Sequence, residues 1–113
     1  MTECFYELSD AGDEQFCKFY ELFQKEIYEG SVSLLEAVVS CRPVDQEKRM
    51  KIKIQLKDDS NKRYSVTTGK DFSDYGLFSH FVYKLIDVCQ CSGLVLKMYG
   101  HKSGFQMSYV LDK

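Results

Sequence analysis

The clearest pattern along the chain is a strict alternation of apolar and polar residues after position 48. The apolar members are Met50, Ile52, Ile54 and Leu56. The polar members are Lys51, Lys53, Gln55 and Lys57. A period of two places alternate side chains on opposite faces, so the stretch is predicted to be a half-buried antiparallel strand with a basic outer face. A polar turn at 58–61 and renewed alternation at Tyr64, Val66 and Thr68 predict a hairpin.

Two other stretches repeat their apolar residues at helical spacing, which predicts two amphipathic helices. In the first the residues are Phe16, Phe19, Tyr20, Phe23 and Ile27. In the second they are Phe78, Phe81, Val82, Leu85 and Cys89. The expected N-caps are Ser9 or Asp10 for the first helix and Asp71 or Ser73 for the second. Gly30 stands where a left-handed C-cap residue is expected, and Gly93 marks the end of the second helix.

Shorter alternations predict the remaining strands. Residues 4–8 form a candidate first strand, and the middle of the chain forms a three-stranded meander at about 36–42, 49–57 and 62–68. Residues 31–36 fit a helix, a strand or a loop. The final strands, which include 94–98 and 105–111, form a hairpin whose loop is bounded by Gly100 and Gly104.

The predicted order is therefore strand, helix, three strands, helix, two strands. This order predicts an α+β two-layer sandwich, in which a mostly antiparallel sheet of about five or six strands carries both helices on one face. The other face is left to solvent, and Lys51, Lys53 and Lys57 are expected to lie there. The length of 113 residues fits a single globular domain, 1–113.

Composition indicates an intracellular, cytoplasmic protein. The chain contains no apolar run of about 18 residues, and its first ten residues lack the pattern of a secretion signal. Five cysteines, an odd number without an export signal, favour reduced thiols. The spacing of Cys89 and Cys91 is not that of a zinc knuckle, so no metal site is predicted. The lack of a long apolar run predicts no membrane association.

The charges are segregated along the chain. Residues 1–30 hold eight acids and two bases, whereas residues 48–70 hold eight bases and two acids. One interpretation is that charged residues simply occupy solvated faces and guard a sheet edge. The other is that the basic meander is a docking surface for an acidic partner, either a protein or a phosphate backbone. Its candidate residues are Lys51, Lys53, Lys57, Lys62 and Arg63, together with Tyr99 in an outward register beside Lys97.

Motifs for catalysis are weak. His101 is expected in an exposed, glycine-flanked loop, but neither it nor His80 has a carboxylate nearby in sequence. Gly100 and Gly104 are not followed by the lysine and hydroxyl of a phosphate-binding loop. The sequence therefore predicts no enzyme and no cofactor.

The leading hypothesis is a small adaptor or regulator that acts by binding another protein, through the exposed sheet face or an edge strand. A viral or phage protein that blocks a host factor also fits this description, and homodimerisation through a sheet edge is compatible with it. The first alternative is nucleic-acid binding through the basic hairpin. The second is a small-ligand or catalytic pocket near His101.

Overall fold

The computed structural model describes residues 4–30, 32–44, 49–101 and 104–111, which form six strands and two α-helices. The elements are β1 (Cys4–Ala11), α1 (Asp13–Phe23), β2 (Leu34–Val44), β3 (Arg49–Asp58), β4 (Arg63–Thr68), α2 (Tyr75–Cys91), β5 (Leu94–His101) and β6 (Gly104–Leu111). The strands form one sheet in the order β1-β4-β3-β2-β6-β5. Only the β1–β4 pair among these strands is parallel, so the predicted α+β fold with a mostly antiparallel sheet is confirmed.

Each helix lies in a crossover connection between two strands that are not neighbours in the sheet. Helix α1 connects β1 to β2, which are separated by β4 and β3, and α2 connects β4 to β5 at the far edge. The rings of Phe23 and Phe81 pack with centroids 4.7 Å apart, so the two helices form one layer. We call the sheet face beneath them the covered face. The predicted meander β2-β3-β4 forms the centre of the sheet.

Strand β3 has the predicted two-sided pattern. On the covered face, Ile52, Ile54 and Leu56 are buried, with exposed fractions of 1%, 0% and 2%. They join the phenylalanines of both helices in one core. The intervening Lys53 is exposed on the opposite side of the sheet. The alternation thus identified both faces of this strand.

Both helices begin later than predicted. Strand β1 continues to Ala11, which makes Gly12 the N-cap of α1 instead of Ser9 or Asp10. Helix α2 is capped by Asp74, whose Oδ1 accepts the backbone N–H of Leu77 at 3.1 Å. Asp71 and Ser73 are not the cap, because the helix begins at Tyr75, directly after Asp74. The hydroxyl of Ser73 donates instead to Asp13 Oδ2 at 2.8 Å.

The prediction of a left-handed Gly30 is wrong. Helix α1 passes into a π-helical turn, Gln24–Tyr28, and Gly30 follows it without a positive φ. Glycine is required there for another reason, because a Cβ at this position would collide with the carbonyl oxygen of Glu26. Gly93 does have a positive φ, +76°, and ends α2 as predicted.

The last hairpin is longer than predicted. Strand β5 continues through His101, whose backbone is paired with Gly104 of β6. The predicted loop at 100–104 is therefore wrong, since only residues 102–103 lie between the strands. A connection of two residues suits a hairpin because it allows the ladder to continue to its end. The ambiguous stretch 31–36 is a strand from Leu34 onward, and residue 31 lies outside the described part.

Candidate interaction surface on the open face of the sheet

The face of the sheet opposite the helices, which we call the open face, is organised in rows. Residues that are paired across β2, β3 and β4 have neighbouring side chains about 5 Å apart. The rows are Arg42–Lys51, Ser40–Lys53–Thr67, Val38–Gln55–Ser65 and Glu36–Lys57–Arg63. Successive rows lie about 7 Å apart along the strands.

The row Ser40–Lys53–Thr67, which we call the anchor row, contains a single cation. Lys53 is exposed, and its two ladder neighbours are a serine and a threonine, both half-buried. Neither neighbour is acidic. The adjacent row pairs Arg42 with Lys51 and also has no acid. This end of the open face therefore carries three positive charges, with no carboxylate in either row.

The row Glu36–Lys57–Arg63, which we call the mixed row, has a different character. Glu36 is exposed and is paired with Lys57, so it offsets part of the basic charge. Glu7 of the edge strand β1 is paired with Ser65 of the neighbouring row. A hollow of about 240 Å³ opens at this end and is lined in part by these two acids together with Lys57 and Arg63.

Four of the predicted partner-binding residues lie together in these rows. They are Lys51, Lys53, Lys57 and Arg63. Lys62 lies instead in the turn between β3 and β4, where its backbone N–H donates to Asp58 Oδ1 at 2.9 Å. Tyr99 is paired with Gln106 in the β5–β6 ladder, but its side chain lies outside the described part.

Sequence reasoning missed the residues that β2 and β4 contribute. Arg42, Ser40, Glu36 and Thr67 complete the rows on either side of β3. The alternation of exposed and buried positions along the predicted strands could have placed them on the same face, because each lies next to buried residues in its strand. What parity could not supply is the register, which decides which side chains are neighbours.

A buried carboxylate holds the turn at the end of β3. Asp58 is 1% exposed and accepts hydrogen bonds from the backbone N–H groups of Ser60 and Lys62, each at 2.9 Å. Its second oxygen accepts the hydroxyl of Tyr64 at 3.2 Å. Burial, and then the negative charge and hydrogen bond of Asp58, raise the pKa of Tyr64 to about 12. The β3–β4 hairpin is thereby tied to the core.

The helix side presents different chemistry. The ammonium of Lys84 lies 5.1 Å from the ring centroids of both Tyr20 and Tyr28, and it donates to the side-chain oxygen of Gln24. The hydroxyl of Tyr28 donates to Asp87 at 3.4 Å. These contacts join the π-helical turn to α2, so we regard the cluster as structural.

The cysteines are divided between core and surface. Cys41 and Cys89 are buried, and burial raises the pKa of their thiols to about 11 and about 12. Cys17 and Cys91 are exposed. The side chains of Cys4 and His101 lie outside the described part, so the hypothesis of a pocket near His101 is not addressed by the structure.

Within the described residues, neither helix is long and apolar enough to cross a membrane. Comparison with models of known protein families, with curated proteins and with solved structures finds no match to this chain.

Proposed function

We propose that the protein is a small adaptor or regulator that binds an acidic surface of another protein through the open face of its sheet. The observation that carries this proposal is the concentration of Arg42, Lys51 and Lys53 at one end of that face, without an acid in their rows. Localised positive charge favours association with a complementary negative patch and increases its rate.

A protein partner is favoured over nucleic acid by two features of the open face. Single-stranded nucleic acid is commonly held by bases that stack on aromatic side chains. The four rows contain no aromatic residue where they cross β2, β3 and β4, and Tyr99 lies two strands further along the anchor row, paired with the Gln106 that pairs with Ser40. In addition, Glu36 and Glu7 interrupt the basic surface, and they would repel a continuous phosphate backbone. A protein can instead place its carboxylates over the basic end alone.

The proposal is tested by affinity capture from cell lysate with the tagged protein, with and without nuclease. We expect a discrete protein partner that survives nuclease and is lost from the variant Lys51→Glu/Lys53→Glu. The matched control is Lys18→Glu/Lys25→Glu, which makes the same charge change on exposed positions of the helix side. Equal capture by both variants would contradict the proposal.

Nucleic acid is the rival partner, because the same lysines could neutralise phosphates. In that case capture would be lost on nuclease treatment. Binding of duplex DNA would also weaken with salt, with a log–log slope of about −0.9 for each phosphate contact.

A further inference from the structure

The anchor row differs from the other rows in the groups that surround its cation. Lys53 lies between two hydroxyl-bearing side chains, one on each neighbouring strand. Within the described part of the chain, the side chains of Ser40 and Thr67 make no hydrogen bond to another residue. Three donors on adjacent strands thus lie in one row.

The other rows lack this combination. Lys51 is paired with Arg42, so that row has charge but no hydroxyl. The row of Gln55 has Ser65 on one side but no cation on β2, β3 or β4. In the mixed row, Glu36 is the ladder neighbour of Lys57, so its negative charge opposes the approach of an anion.

We propose that Ser40, Lys53 and Thr67 act together as the subsite that binds neighbouring carboxylates of an acidic peptide segment. This inference rests on the proposed function and specifies where its affinity originates. The ammonium supplies the charge, and because the hydroxyls flank β3 about 10 Å apart, each donates to a different carboxylate of the segment. Charge-assisted hydrogen bonds of this kind are shorter and stronger than neutral ones, and they depend on direction.

The hydroxyls make the inference testable apart from general electrostatics. Ser40→Ala and Thr67→Val remove a donor and leave the net charge unchanged, and Val retains the β-branched shape of Thr67. A surface that attracts acids only by its charge would not respond to either change. The matched control is Ser65→Ala, which removes a half-buried hydroxyl from the neighbouring row.

The probe is a short fluorescein-labelled peptide of alternating Glu and Ser residues, measured by fluorescence anisotropy at low salt. We expect Lys53→Gln to raise Kd about tenfold, and each hydroxyl variant to raise it about threefold. Ser65→Ala should leave Kd within about 1.5-fold of the wild type. Thermal melts of every variant verify that the fold is retained.

The possible failures are distinct. If Lys53→Gln weakens binding but both hydroxyl variants bind as the wild type, the anchor row is wrong and the basic surface stands. If Lys53→Gln has no effect on a peptide that does bind, or if the peptide does not bind at all, the inference and the proposed function both fail. If a labelled DNA duplex binds more tightly than the peptide and loses affinity on Lys53→Gln, the subsite is one for phosphate and the inference is overturned.

Discussion

The two faces of β3 show how one strand serves two purposes. Its even-numbered residues from Ile52 to Leu56 are buried under the helices, whereas Lys53 between them is exposed on the open face. Burial of apolar area is the main favourable term in folding, so the covered face determines stability. The open face lies opposite the helices, and Lys53 on it is exposed. Substitutions one residue apart should therefore have unrelated effects.

The largest expected effect comes from the covered face. Ile54→Ala should lower the free energy of unfolding by about 2–5 kcal/mol, because it leaves a cavity among side chains that cannot fully collapse. Lys53→Ala, the neighbouring change, should stay within about 0.5 kcal/mol of the wild type. Urea denaturation of both variants measures the difference. A larger loss for Lys53→Ala than for Ile54→Ala would show that the register of β3 is inverted.

A smaller loss of stability is expected for Asp58, the buried carboxylate at the end of β3. Asp58→Ala should cost about 1–3 kcal/mol, since the buried hydroxyl of Tyr64 and the part-buried N–H groups of Ser60 and Lys62 would lose their acceptor. The matched control is Asp59→Ala, because that neighbouring carboxylate is exposed and makes one longer contact, 3.4 Å, to the N–H of Ser33. Denaturant midpoints compare the two. Equal losses would mean that burial of Asp58 does not matter.

Most of the fold could be predicted from the sequence because hydrophobic periodicity reports which face of an element is buried. It identified β3, both helices and the meander. It could not place β1 beside β4, since the partner of a strand depends on contacts between distant parts of the chain. The expectation of a left-handed Gly30 was wrong, because the residues that mark the end of a helix do not reveal that its last turn is π-helical.

The candidate site was predicted in part for the same reason. Alternation along β3 placed Lys51, Lys53 and Lys57 on one face, as the structure does. Lys62, which was grouped with them by nearness in sequence, lies in the turn and not in the rows. The pairing of Lys53 with hydroxyls and of Lys57 with an acid follows from the register of three strands, which a single strand's pattern does not contain.

The smallest expected effect concerns the helix layer that makes one face covered and leaves the other open. The carboxylate of Asp13, at the start of α1, binds the segment that precedes α2. Its Oδ1 accepts the backbone N–H groups of Ser73 and Asp74 at 2.7 and 2.9 Å, and its Oδ2 accepts the Ser73 hydroxyl at 2.8 Å. These bonds, chiefly that from the backbone of Ser73, lower the pKa of Asp13 below its ordinary value of 3.8.

The lowered pKa of Asp13 in the folded state makes the stability of the fold depend on pH in a known direction. The ionised carboxylate stabilises the fold fully above its unfolded pKa, and this contribution is lost as the pH falls through the folded value. The melting temperature of the wild type should therefore exceed that of Asp13→Asn by a constant margin near neutral pH, and the margin should shrink below about pH 4. Asp71→Asn, in the same segment, is the matched control. A margin that stayed constant down to about pH 2 would show that the charge of Asp13 does not hold the two helices in place over the covered face.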